Sequence, residues 1–265
     1  MSECSPDAFA MAGRTETPMN VVAVIQHTSA EYLGLMEDHL EGRRIRFQYF
    51  RPFARGGKLP AADLPADALI LLGGGPWGSS GKRDLPTLAA EIELCRGYLQ
   101  QGTPVIGIGL GAQILAIAAG GGVERCDLVF ETNKVMRSDA AALNGFLPEE
   151  FVQAVYMRDW PVPPEQARIL ARDERGRVAL FQIANNAYGF AGHPGIKLGM
   201  VEDLIMEFEE VPQAAHTGLE ILRALQPQIE DNLVPIMTGL VQCTALMSAP
   251  KAVATATEEL DTPVI

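Results

Sequence analysis

Basic residues are scarce in this sequence: 21 Lys and Arg stand against 33 Asp and Glu, a formal net charge of −12 at pH 7. A chain this acidic cannot easily build the basic face that nucleic acid or an anionic membrane requires, so neither is expected as a partner. No apolar run reaches the roughly 18 residues that read as a bilayer span. The start of the chain carries Glu3, Asp7 and Glu16 where a secretory leader would have a basic end and an apolar block. A cytoplasmic protein is the expectation. Cysteine is also sparse: Cys4, Cys95, Cys126 and Cys243 lie far apart, with no CxxC or Cys/His spacing. Reduced, ordinary thiols are expected, and neither a metal nor a cofactor is read from the sequence.

What is present is apolar material in an alternating order. With 265 residues and 48% hydrophobic content, the chain can form one large α/β domain with a helical addition. Residues 21–25, 45–50, 68–72 and 105–108 read as strands, and 29–40, 87–99 and 112–119 as helices. Continuous hydrophobicity in these strands predicts burial on both faces, hence a doubly wound, mostly parallel sheet with helices on both sides. Ligands then belong at the carboxyl ends of the strands. After residue 123 the texture changes to short extended pieces at 128–132, 151–156, 168–171, 178–183 and 188–190, with turn residues at 173–176. These predict an antiparallel addition to the sheet edge.

From 198 to 247 the pattern is helical, with breaks expected near Pro212, Pro227 and Pro235. Leu219, Leu222, Leu225, Ile229, Leu233, Ile236, Met237, Leu240 and Val241 form an apolar stripe that either packs on the parent domain or meets a second protein. The expected division is a disordered segment 1–18, a main domain 19–203, a C-terminal helical appendage 204–247 and a disordered tail 248–265.

Three stretches point to a site: "LLGGGPWG" at 71–78, "PVIGIGLGAQILA" at 104–116 and "AYGFAGHPG" at 187–195. The second reads as a buried strand passing through a sharp glycine turn into a helix of small residues, the form in which many hydrolases present a nucleophile. Gly73, Gly74 and Gly75 read as a tight turn rather than a phosphate cradle, because no P-loop Lys or Ser/Thr follows. The order of the three stretches resembles the class I glutamine amidotransferases across roughly residues 21–203. That resemblance implies a flavodoxin-like fold and a Cys-His-Glu triad. The family's elbow, G-I-C-L-G-x-Q, is matched here by Gly107, Ile108, Leu110, Gly111 and Gln113, with Gly109 at the cysteine position. The family's H-P-E falls on His193, Pro194 and Gly195, so the glutamate position is glycine as well.

The resemblance also implies an oxyanion site formed by the N–H groups of Gly75 and Leu110, and a ligand-side role for Gln113. Trp77 stands beside the glycine turn as a lid or a protein contact, and Asp159, in "YMRDW", falls where relatives often have H-x-D facing the site, with Arg158 intervening. Amide transfer from glutamine passes through a thioester, which needs a thiolate. Without one, the residual catalysis of an oxyanion site is only roughly 10³- to 10⁴-fold over water. The expectation is a catalytically inactive relative, a pseudoenzyme serving as binding, scaffolding or regulatory subunit of a partner enzyme, with a homo- or hetero-oligomer formed through the C-terminal helices. Two alternatives stand beside it: an enzyme of altered chemistry that uses His193 on a small ligand, or a glutaminase subunit of a separate synthase with a nucleophile elsewhere. The thinning of side chains around His193, at Ala191 and Gly192, is expected either to open a new cavity or to admit a partner's side chain.

Overall fold

A computed structural model describes residues 19–61 and 64–248. The segments expected to be disordered, 1–18 and all but the first residue of 248–265, lie outside the described residues. In chain order the elements are β1 (Val21–Ile25), α1 (Met36–Glu41), β2 (Arg46–Phe50), β3 (Ala68–Leu71), α2 (Leu88–Gln100), β4 (Val105–Ile108) and α3 (Leu110–Ala118). There follow β5 (Gly122–Glu124), β6 (Val129–Arg137), a single 3-10 turn at Ala142–Gly145, β7 (Glu150–Met157), β8 (Trp160–Val162), β9 (Arg168–Asp173), β10 (Val178–Ile183), β11 (Ala187–Phe190), α4 (Leu198–Glu207) and α5 (Ala215–Cys243).

Nine strands form one sheet in the order β2-β1-β3-β4-β11-β10-β9-β6-β7. The half from β2 to β11 is parallel, and β10, β9, β6 and β7 add to it antiparallel. Strand alternation divides the core in two. Val22 and Val24 face a layer completed by α1 and α5, whereas Ala23 and Ile25 face α2 and α3. Helices therefore cover both faces of the parallel half, as its uninterrupted hydrophobicity requires. β5 and β8 pair separately as a two-stranded ribbon that the sequence pattern does not show.

Two expected elements differ. The helix expected over 29–40 is confined to α1, and 27–35 forms turns instead. Gly34 takes φ +62°, the left-handed region, and the Leu35 N–H donates to the Gly195 carbonyl at 2.8 Å, so this segment is folded inward against the site rather than coiled. The breaks expected at Pro227 and Pro235 do not occur, because α5 runs for 29 residues through both prolines. Each proline removes a helical hydrogen bond and disfavours the helix by about 3 kcal/mol. Burial of Leu222 and Ile229 around the first, and of Leu233, Ile236, Met237 and Leu240 around the second, offsets that penalty.

The expected boundary at 203/204 falls inside α4, and the apolar stripe of α5 closes the sheet's α1 face. Truncation tests this integration. Leu240→Ala should lower stability by about 2–5 kcal/mol through cavity formation, whereas Ile221→Ala, on the exposed face, should stay within about 0.5 kcal/mol. Urea denaturation of the two variants measures the difference.

Candidate functional site at the elbow

The three sequence motifs converge at the carboxyl end of the parallel strands. β4 runs into α3 through Gly109, whose φ of +56° and ψ of −114° lie in a region that disfavours any residue with a Cβ. The turn is anchored by the Gly109 N–H donating to the Phe190 carbonyl at 2.8 Å, which ties the elbow to β11. A Cβ built at Gly109 meets only the Cα of Gly73, at 3.5 Å, so a side chain there has room. α3 begins without a side-chain cap. Its second N–H, from Gly111, donates to the Leu72 carbonyl at 3.1 Å. The Leu110 side chain packs against Gly74.

Position 195 is the opposite case. A Cβ there would lie 2.7 Å from Met36 Cγ, 2.9 Å from Met36 N and 3.0 Å from the Leu33 carbonyl oxygen, two of which are backbone atoms. The inward turn at 33–36 fills the space that a carboxylate side chain would need. His193, 3% exposed, is held by backbone on both sides: its Nε2–H donates to the Tyr32 carbonyl at 2.8 Å, and Nδ1 accepts from the Gly195 N–H at 3.1 Å. Burial pushes its pKa down to about 4, so the imidazole is neutral with both nitrogens committed. The thinned residues around it do not leave a void at Gly192 either, where a Cβ would meet the Gln153 side chain and the Ala154 carbonyl. A cavity of about 470 Å³ lies elsewhere, between Trp160 and the β9–β10 turn, and none of the elbow residues lines it.

The remaining expected site residues serve the frame. Gln113, fully buried, accepts from Ser79 Oγ at 2.6 Å and donates through Nε2 to the Arg158 carbonyl at 2.7 Å, which locks α3 to two loops. Asp159, also fully buried and at φ +62°, accepts from the Ser79 N–H at 3.1 Å, Ser80 Oγ at 2.8 Å and the Cys126 N–H at 3.3 Å. Trp77 is half-buried beside the glycine turn with the Arg83 guanidinium 5.1 Å from its ring centre. Among the thiols, burial raises Cys95 to about 12, and burial with the Asp159 charge raises Cys126. Neither is activated in the sense that nucleophilic cysteines are.

Three buried ionisable residues under the glycine turn escape the sequence reading. His27 Nε2 meets Glu91 Oε2 at 2.7 Å, and its Nδ1 lies 3.0 Å from the Gly73 carbonyl, with both side chains fully buried. Burial alone would depress the His27 pKa, but the Glu91 carboxylate, the Gly73 carbonyl and the Glu31 charge together outweigh it and the net shift is upward. Glu31, 3% exposed, accepts from the Gly75 N–H, and its Oε1 occupies the space that a Cβ at Gly73 would claim. The N–H expected to face a ligand's oxyanion is therefore committed to a carboxyl group of the chain itself. The signal in the sequence for two of them is "QHTSAEYLG" at 26–34, a His and a Glu four residues apart leading to a Gly, at the start of an expected helix. Among the described residues no cluster of His, Cys, Asp and Glu is arranged to hold a metal, and no helix is long and apolar enough to cross a membrane.

Burial raises the Glu31 pKa from 4.5 to about 7. A carboxyl whose folded pKa is raised binds its proton more tightly in the folded state. Its contribution is thus intact below pH 4.5 and is lost as pH rises to about 7. At about 1.4 kcal/mol per unit the loss is about 3 kcal/mol. Glu31→Gln, which retains an acceptor for Gly75, should remove this dependence and raise stability above pH 7 relative to wild type. Denaturation midpoints at pH 5 and pH 8 for both proteins give the comparison, and equal pH slopes would sink the assignment.

Comparison with known proteins agrees with this geometry. Residues 57–208 match the family model "Glutamine amidotransferase class-I". The chain is 30% identical over 232 residues to the glutamine-hydrolysing GMP synthase of Aeropyrum pernix, covering 81% of this chain and 43% of that protein. It is also 30% identical over 141 residues to a glutamine-hydrolysing GMP synthase subunit from Halobacterium salinarum, covering 52% of this chain and 70% of that protein. The crystal structure of a glutamine amidotransferase from Thermotoga maritima superimposes with a TM-score of 0.72 at 21% identity, covering 86% of this chain and 99% of that one, and so shares its fold. The chain spans less than half the length of the Aeropyrum relative. With the elbow, the glycine turn and His193 gathered at one sheet edge and the family model spanning them, the chain belongs to the class I glutamine amidotransferase family.

Proposed function

We propose that this protein is a class I glutamine amidotransferase homologue without glutamine hydrolysis of its own, acting as a binding, scaffolding or regulatory subunit of a partner enzyme. The observation that carries the reading is the elbow: the residue at its apex is Gly109, with no nucleophilic atom, at a φ of +56° that glycine accepts without strain. Thioester chemistry needs a thiolate at that point and a base to form it. His193 has no free lone pair to serve as that base, because Nδ1 accepts from Gly195 and Nε2–H donates to Tyr32. Position 195 has no room for a carboxylate.

The alternatives draw less from the geometry. An altered chemistry through His193 would require the imidazole to leave both backbone partners. A glutaminase with a displaced nucleophile would require a thiol, and those of Cys95 and Cys126 are raised rather than lowered. A partner is supported by the relatives, since the Halobacterium protein is described as one subunit of a GMP synthase. A synthase-type enzyme is accordingly the proposed class of partner.

The test is ammonia release from glutamine by the purified chain, beside Gly109→Cys and the double variant Gly109→Cys, Gly195→Glu. Wild type is expected to stay at the buffer rate. Gly109→Cys should fold, at a strain cost of about 1–3 kcal/mol for a side chain at positive φ, and its thiol should be alkylated by iodoacetamide. Adding Gly195→Glu should destabilise it further by roughly 1–3 kcal/mol, since a backbone segment must move. Glutamine turnover by wild type that survives repurification would overturn the proposal.

A further inference from the structure

The cavity of about 470 Å³ beside Trp160 is framed by two antiparallel pairs. In the β5–β8 ribbon Glu124 stands opposite Trp160, and in the β9–β10 hairpin Arg172 stands opposite Val178. Residues opposite each other across an antiparallel pair send their side chains to the same face. The two pairs are fastened together where the Trp160 Nε1–H donates to the Val178 carbonyl at 2.9 Å. Glu124 and Arg172 therefore flank one hydrogen bond, and both line the cavity. A third wall comes from the connection between β8 and β9, which carries Glu165 into the lining. Pro163 and Pro164 stiffen that connection, and the Ala167 N–H closes its turn on the Pro164 carbonyl at 2.9 Å.

The charges around the cavity divide into balanced and unbalanced ones. Arg175 pairs with Glu131 at 3.0 Å. Arg177, its guanidinium 3.8 Å from the Trp160 ring centre, pairs with Asp173 at 2.7 Å and also with Glu131. Two arginines thus meet two carboxylates. The Glu174 charge, in the same turn, acts on Lys134, and Arg125, next to Glu124, donates to the Ser80 carbonyl. Arg172 is different: its Nη1 donates to the Gly176 carbonyl at 2.8 Å, and among the described residues it meets no carboxylate. Glu124 and Glu165 meet no cation there either, and all three side chains are exposed. The walls therefore hold one unpaired cation and two unpaired carboxylates around a single space.

A ligand that completes this set carries one carboxylate and two cationic groups. A guanidinium presents parallel N–H donors that suit a carboxylate, and the two glutamates accept from ammonium or guanidinium groups. Pro163 and Val162, the latter 44% exposed, offer apolar surface to an aliphatic stem between them. The volume lies in the range that small-molecule sites occupy. A phosphate or a dicarboxylate would add negative charge to walls that already carry one in excess.

We propose that the cavity beside Trp160 binds a basic α-amino acid, its carboxylate accepting from Arg172 and its two cationic groups donating to Glu124 and Glu165. No elbow residue lines the cavity, so this site and the function proposed above fail separately.

The chain has two tryptophans, Trp77 beside the glycine turn and Trp160 at the cavity, so their indole N–H signals in proton–nitrogen correlation spectra of the full chain report on the two places separately. Trp77→Phe assigns them. The titrants, at neutral pH and constant ionic strength, are L-arginine, L-lysine, agmatine, which lacks the carboxylate, L-glutamine, which lacks the second cation, and succinate. L-arginine or L-lysine should shift the Trp160 signal saturably and leave that of Trp77 in place. Agmatine and L-glutamine should each bind about tenfold more weakly, the loss of one charged hydrogen bond, and succinate should not bind. Arg172→Gln, at an exposed position, should leave the melting temperature unchanged and erase the difference between L-arginine and agmatine. Glu165→Gln should weaken L-arginine binding while leaving the melting temperature unchanged. A Trp160 signal that neither basic amino acid moves, a saturable shift confined to Trp77, agmatine or L-glutamine binding as tightly as the basic amino acids, or an unchanged preference in Arg172→Gln would each overturn the proposal.

Discussion

The arrangement at the elbow depends on the inward fold of residues 27–35, and a single buried carboxyl group anchors that fold. Glu31 reaches across to the Gly75 N–H and lies against Gly73, where only a hydrogen leaves it space. Once the segment is drawn in, Gly34 turns left-handed, Leu35 bonds to the Gly195 carbonyl, and Met36 and Leu33 occupy the volume beside Gly195. The same fold brings the Tyr32 carbonyl within 2.8 Å of His193 Nε2. One inward segment, fastened at Glu31, therefore carries three features at once: the committed Gly75 N–H, the closed position 195 and the backbone-bonded imidazole of His193.

The electrostatics follow from that constraint. Burying a carboxyl favours the protonated form, and Glu31 rises to about 7 against the opposing pull of the Gly75 N–H and the His27 charge. His27 and Glu91, one layer below, solve the same problem as a pair, with the His27 second nitrogen at the Gly73 carbonyl. His193 solves it by staying neutral. A hydrolytic centre instead keeps a base poised near the operating pH with a lone pair free. The ionisable groups near this elbow bond to the turns around it: Glu31 to Gly75, His27 to Gly73 and His193 to Tyr32 and Gly195.

Much of the fold is legible in the sequence because it rests on periodicity. The continuous apolar runs mark strands buried on both faces, and the three glycine-marked motifs locate the strand ends where a site must lie. The misses have physical causes. The 29–40 segment carries helical spacing, yet its Glu31 and Gly34 obey tertiary contacts with Gly73 and Gly195 that no local pattern contains. Pro227 and Pro235 read as breaks by intrinsic preference, and packing on both sides of them overrides it. In the sequence Arg158 stands out only by its place beside Asp159 in "YMRDW". Its burial with an unpaired nitrogen depends on Pro76 and Glu210, which the chain brings from separate loops.

The C-terminal helices bear on how a second protein could meet this one. The stripe of α5 that a sequence pattern offers as an interface is spent on the sheet, where Leu233, Ile236, Met237 and Leu240 join the core beside β6, β7 and the Ala142–Gly145 turn. Removing it for a partner would open that core. The large apolar groups left outside on these helices are single side chains, Met206 on α4 at 77% exposure and Ile221 and Val234 on α5 at 42% and 54%. Met206 is adjacent to Glu207, whose carboxylate holds Ser29, and that segment continues to Phe208 over the glycine turn and Glu210 on Arg158. A contact on the outer face of α4 is therefore one residue from the segment that lies over the glycine turn, and it would reach the elbow through that segment rather than through the sheet.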